Sequence, residues 1–162
     1  MSDKKIIFCI QNSVIESILT KNKIINSDSI LIKKNEDLTL SYLQEIKPDL
    51  VMFPHWSYKI DDEIVNQFTC ICFHSTPLPF GRGGSPIQNM IIRGYTSTEV
   101  CSLKMVSDFD AGPIFLRTKV SLKGPLSKIL ERIYQAISDQ IILFIKNDLV
   151  PKPQQGAVTE FK

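Results

Sequence analysis

Hydrophobic residues recur along this chain in two rhythms: short continuous runs, and stretches with apolar positions every three or four residues. The first run, Ile6–Ile10, closes at Gln11, Asn12 and Ser13, and Asn12 or Ser13 can cap a helix through Ile15, Ile18 and Leu19. Residues 29–32 form a second run, residues 38–46 have helical spacing, and Lys47-Pro48 stops that helix before a third run at residues 49–53. A short helical pattern over residues 62–68 leads into TCICFH, where Cys70, Ile71, Cys72 and Phe73 follow one another as a buried strand. Continuous apolar strands of this kind belong to sheets covered by helices on both faces.

Pro77, Pro79, Gly81, Gly83 and Gly84 make the next segment a rigid, sharply bent loop. Ser85 followed by Pro86 is an N-cap and first-turn signal for a helix through Ile87, Met90 and Ile91 that closes at Gly94. Residues 99–105 and 114–120 read as strands around the turn SDFDAGP. A last helix starting near Pro125 sets Leu130, Ile133, Ile137, Ile141 and Phe144 on one face, and the polar, Pro-rich tail PKPQQGAVTEFK follows. This order predicts one domain over residues 1–162, of class α/β, three layers thick, with a mostly parallel sheet.

A chain of 162 residues with 43% hydrophobic and 22% charged residues has the composition of a soluble globular domain. The net charge is only +2 and the lysines are interspersed with acidic residues, so nucleic acid is not the expected partner. Cys9, Cys70, Cys72 and Cys101 match no zinc spacing; four reduced thiols and no metal are expected. The first apolar run is too short for a signal peptide and lacks a small-residue cleavage site, and residues 141–145 fall well short of the roughly 20 that cross a bilayer. A cytoplasmic protein without a membrane partner is expected.

In open α/β sheets ligands bind beyond the carboxyl ends of the strands. The loop after the first strand has no glycine, which argues against a dinucleotide fingerprint and against a P-loop. FGRGGSP has the glycines of an anion cradle, though the same residues serve a plain strand-to-helix turn. His55 and His74, the two histidines, both fall at strand ends on the ligand side; Asp110, before Ala-Gly-Pro, also suits a simple turn.

Taken together, CFHSTPLPFGRGGSPIQNMIIRG and the later SDFDAGPIF resemble the signature of the folate-dependent formyltransferases. His74 stands at that family's histidine, Thr76 at its serine, Leu78 and Pro79 at its Leu-Pro, and Arg82 and Gly83 at its Arg-Gly. Pro86 matches its helix-opening proline and Asp110 its aspartate, and the resemblance extends over about residues 49–120. It implies a three-layer, Rossmann-like formyltransferase domain that passes a formyl group from 10-formyl-tetrahydrofolate to an amine.

Under that resemblance His74 stabilises the oxyanion and shuttles a proton, while Asp110 orients His74 and takes up the amine proton. The family's asparagine two residues before the histidine is here Cys72, whose thiol is a weak donor. His55, at the neighbouring strand end, is the expected replacement donor. The pterin head is expected between Trp56, Tyr58 and Ile60 on one side and Val106, Ser107 and Asp110 on the other. Asn12, Ser13, Thr76, Arg82 and Gly83 are the expected acceptor-binding residues.

The tRNA-modifying members carry a second domain, which 162 residues are not expected to include, so tRNA is not the expected acceptor. The purine-pathway member grips phosphate with a glycine-rich loop that Gln11, Asn12 and Ser13 do not reproduce. FPHWS with FGRGGSPIQN looks most like the compact enzymes of pseudaminic-acid-type glycan biosynthesis, which implies a nucleotide-linked acceptor such as a UDP-4-amino-4,6-dideoxy sugar. A 10-formyl-tetrahydrofolate hydrolase and a non-catalytic folate or nucleotide-sugar binding module stay open. The apolar last helix exceeds what a small sheet covers, so a homodimer is expected.

Overall fold

The computed structural model describes residues 3–162. Its elements run β1 (Ile6–Ile10), α1 (Ser13–Lys21), β2 (Ile30–Ile32), a 3-10 turn at Asn35–Asp37, α2 (Leu40–Ile46), β3 (Leu50–His55), α3 (Asp62–Gln67) and β4 (Cys70–His74). They continue with β5 (Arg82–Gly83), α4 (Pro86–Ile92), β6 (Ser97–Lys104), β7 (Ile114–Ser121), α5 (Leu126–Lys146) and β8 (Glu160–Phe161). Six strands form one sheet in the order β2-β1-β3-β4-β6-β7. The first three pairings are parallel and the two involving β6 are antiparallel, which gives the mostly parallel three-layer α/β arrangement.

The helices divide between the two faces. Phe8, Ile10, Met52 and Ile71 pack with residues of α1, α4 and α5, while Ile7, Val51, Phe53 and Cys70 pack with residues of α2 and α3. Asn12 caps α1, its side chain accepting from the backbone N–H groups of Val14 and Ile15. Ser85 stands at the expected N-cap position of α4, but in the left-handed region with φ 49° and without a side-chain capping hydrogen bond, and Pro86 follows as the helix-opening residue.

β3 is longer than the apolar run that announced it, and it holds a bulge. On β1, Phe8 pairs with Met52 and Ile10 with His55, so two steps on β1 face three on β3. Pro54 lies within the extra step; it has no N–H to give the ladder, and a central strand tolerates it at such an irregularity. The bulge turns His55 onto the face shared by Met52 and Ile10.

In the C-terminal third, Ile141 and Phe144 are buried under the chain's own sheet, while Leu126 and Leu143 of α5 stay exposed. The tail is not a loose polar end: Lys152 bridges to Ile114, and β8 pairs in parallel with β5 beside the strand ends. No helix among the described residues is long and apolar enough to cross a membrane.

Candidate active site

β4 delivers His74 to the carboxyl end of the sheet, and the turn between β6 and β7 brings Asp110 against it. His74 is buried, with both ring nitrogens engaged. Its Nε2 lies 2.7 Å from the carbonyl oxygen of Gly81. A carbonyl only accepts, so this nitrogen carries a proton. Nδ1 faces Oδ2 of Asp110 at 3.5 Å, a charge contact longer than a good hydrogen bond. Neutral His74 therefore presents a bare Nδ1, a base, and protonated His74 presents Nδ1–H beside a carboxylate. The Gly81 carbonyl thus adds a second partner that orients the imidazole, beside the expected Asp110 carboxylate.

Asp110 is itself held. Its φ of 54° lies in the left-handed region, which a non-glycine residue seldom adopts. Its Oδ2 accepts the Gly83 N–H at 2.9 Å, and its carbonyl accepts from Nε2 of Gln154 at 2.6 Å. Gly112, two residues on, leaves no space for a side chain, because a Cβ there would stand 1.7 Å from the carbonyl oxygen of Lys104.

Cys72 and Asp110, with Met105 and Phe109, form the shared wall of two cavities. The larger, about 640 Å³, is also bounded by His55, Trp56, Tyr58 and Tyr134. The smaller, about 50 Å³, is bounded by Ile60, Val106 and Ser107. Burial pushes the Cys72 thiol pKa up and the Asp110 charge adds to the effect, so the group in the wall is a protonated thiol. Trp56 and Tyr58 stand edge to face in the larger cavity, not in the recess with Ile60.

His55 lines the larger cavity but from the other side of the sheet. The bulge points it towards α5, where its ring meets Tyr134 edge-on at 6.4 Å between centroids. Cys72 lies on the face of Cys70, and His55 and Cys72 both line the larger cavity. Nδ1 of His55 and Nε1 of Trp56 are buried without a hydrogen-bond partner.

The expected acceptor residues divide. Thr76 is fully buried, its hydroxyl donating to the Gly81 carbonyl at 3.1 Å, which makes it a support for the His74 loop. The Gly83 N–H is taken by Asp110, and the Arg82 guanidinium donates from Nε and Nη2 to Oε1 of Gln154 at 3.2 and 2.8 Å. Thr76, Arg82 and Gly83 line neither of these two cavities. Asn12 and Ser13 border a further cavity of about 560 Å³ between α1 and α5, whose Leu130 and Tyr134 also line the large cavity. Gln154, Gly112 and Tyr134 were not anticipated. Phe161, a lone large aromatic in a polar tail, was the available signal that this segment packs.

No family model matches the chain. The solved structure of a methionyl-tRNA formyltransferase from Clostridium thermocellum superposes with a TM-score of 0.89 at 36% identity, covering 96% of this chain and 70% of that one. The chain belongs to the formyltransferase family. A second formyltransferase, the methionyl-tRNA formyltransferase of Clostridium acetobutylicum, is 27% identical over 157 residues, 92% of this chain and 50% of its own length. The chain spans half or less of the length of the curated relatives it matches first. The formyltransferase PseJ from Anoxybacillus kamchatkensis, solved with UDP-4,6-dideoxy-4-formamido-L-AltNAc and tetrahydrofolate, shares the fold at 18% identity, with a TM-score of 0.73 over 96% of this chain and 84% of that one.

Proposed function

We propose that this chain transfers the formyl group of 10-formyl-tetrahydrofolate to the amine of a nucleotide-linked amino sugar, a UDP-4-amino-4,6-dideoxy sugar being the specific acceptor. One observation carries the reading: Cys72 and Asp110 form a single wall between a narrow recess and a wide cavity, with the buried His74 imidazole held against Asp110. Two ligands can thus meet at one proton-handling pair. Ile60, Val106 and Ser107 would hold the flat head of the donor, and His55, Trp56 and Tyr134 would surround the acceptor.

When bound, the donor supplies an activated formyl group. Nδ1 of His74 then accepts the proton that the attacking amine must lose, and the resulting imidazolium is stabilised by the Asp110 carboxylate at 3.5 Å. The imidazolium would return that proton to the departing nitrogen of tetrahydrofolate as the donor's formyl C–N bond breaks, and because the Gly81 carbonyl keeps Nε2 protonated, Nδ1 serves in both transfers. Proton transfer of this kind contributes roughly 10² to 10⁴ in rate.

The neighbour solved with tetrahydrofolate and a UDP-linked formamido sugar supports both the donor and the acceptor class. A second reading has methionyl-tRNA as acceptor, favoured by the names of the relatives from C. thermocellum and C. acetobutylicum. Incubation with 10-formyl-tetrahydrofolate and either acceptor, read by mass spectrometry, separates the two. The expected outcome is a formylated UDP-amino sugar and unmodified methionyl-tRNA. Formyl-methionyl-tRNA with an untouched sugar would assign the acceptor to RNA. Tetrahydrofolate released without any acceptor would make the chain a hydrolase, and donor binding without turnover would make it a binding module.

A further inference from the structure

The amide of Gln154 uses all of its hydrogen-bonding capacity on the two loops that build the candidate site. Its Oε1 accepts twice from Arg82, in the loop after β4. Its Nε2 donates to the carbonyls of Asp110, at 2.6 Å, and Gly112, at 2.9 Å, in the turn before β7. An amide offers two donors and a two-lone-pair acceptor, so every position is filled.

The rest of the tail presses on the same loop. The Thr159 hydroxyl accepts the Gly81 N–H at 2.7 Å, and the Thr159 carbonyl accepts the Arg82 N–H at 2.9 Å. Gly81 is the residue whose carbonyl orients His74. Phe161 stacks edge-on against Phe80, lies under the Arg93 guanidinium, and occupies the space that a Cβ on Gly81 would need.

We propose that residues 154–161 act as a strap that positions the acid-base pair, with Gln154 as the positioning residue that keeps Asp110 in its left-handed conformation. Gln154 touches no reacting atom; it acts through the Asp110 and Gly112 carbonyls. Without its donors the turn relaxes towards ordinary backbone angles, and the carboxylate swings away from both the Gly83 N–H and Nδ1 of His74. The strap thus couples the Gly81 carbonyl, which sets the His74 tautomer, to the Asp110 carboxylate, which faces the other ring nitrogen.

Gln154→Glu and Gln154→Ala divide the two duties. Glutamate keeps and strengthens the tie to Arg82 but replaces both donors with an oxygen facing two carbonyls. Both variants should lower kcat for 10-formyl-tetrahydrofolate turnover by about tenfold or more, as a misplaced catalytic group does, with KM for that donor changed less than about twofold. Gln155→Ala, at an exposed neighbour, should match the wild type. The activity arm rests on the formyl-transfer reading, and a wild type inactive on 10-formyl-tetrahydrofolate would count against that reading alone.

A second arm needs no turnover. The Gly83 amide proton, bonded to a carboxylate, should move upfield in both variants, towards its position in Asp110→Asn, in two-dimensional NMR spectra of the full chain. A Gly83 amide unmoved in Gln154→Glu and Gln154→Ala would overturn the proposal whatever the rates. So would a Gln154→Glu enzyme with wild-type kcat, since the Arg82 tie alone would then suffice.

Discussion

Under the proposed mechanism, the nitrogen of His74 that takes the proton follows from one hydrogen bond to a loop carbonyl. His74→Ala removes the base and should reduce formyl transfer by about 10² or more, and Asp110→Asn should do the same by removing the charge that stabilises the imidazolium. Turnover measured beside thermal unfolding checks both; near-normal rates in folded variants would dismiss the assignment. Cys72 stands where the family carries an amide and faces both cavities as a protonated thiol. Cys72→Asn should raise the rate by adding a true donor to the wall, while Cys72→Ser stays within about threefold of the wild type. On the proposed reading His55, turned towards Tyr134 in the wall of the larger cavity, borders the acceptor. Steady-state kinetics of His55→Ala should therefore show a raised acceptor KM and a nearly unchanged kcat; a fall confined to kcat would restore it to the reacting centre.

At the scale of elements, the antiparallel pair β6 and β7 has to present Asp110 while its turn crosses close over its own backbone. The Lys104 N–H donates to the Pro113 carbonyl at 2.9 Å, and only a glycine at position 112 fits beneath the Lys104 carbonyl. Gly112→Ala should lower the free energy of unfolding by about 3 kcal/mol or more, because backbone, not a mobile side chain, must yield. Urea titration measures this directly. Gly84→Ala is the matched control: an added Cβ meets nothing within 4 Å and the backbone angle is ordinary, so its midpoint should stay at the wild-type value. α5 illustrates a different point. Gln140, buried on its sheet-facing side, donates to the Val100 carbonyl at 2.9 Å and the Thr118 hydroxyl at 2.8 Å, tying the helix to β6 and β7 while Ile141 and Phe144 fill the space around it.

Over the whole molecule, four free thiols lie in or against the core, and burial acts on all of them in one direction. It pushes Cys101 up to about 11 and Cys70 up to about 12, with Cys9 and Cys72 raised further. In the unfolded chain these thiols ionise near 9.0. The folded state therefore holds protons that the unfolded state releases, and stability is complete below pH 9 and falls as pH rises towards 11. Tyr134, its pKa also raised by burial, adds to the same slope. The melting temperature should decline between about pH 9 and 11, and Cys70→Ala should flatten the decline; a profile level across that window would refute the linkage.

The sequence by itself determined the order of the helices and of the six strands of the main sheet, because a continuous apolar run and an apolar position every three or four residues are local properties of the chain, whereas the small β5–β8 pair left no such pattern. It also pointed to His74 and Asp110, whose neighbours carry a family signature in fixed register. Only the tertiary structure decided which way the functional groups face. A bulge at Pro54 appears only when β3 is laid against β1, and it sends His55 to the side of Tyr134. The proton on His74 is placed by Gly81, and the conformation of Asp110 by Gln154 from a tail with no periodicity to read. Such choices rest on pairings between segments far apart in the chain, where one residue of register reverses a face, and no local pattern records them.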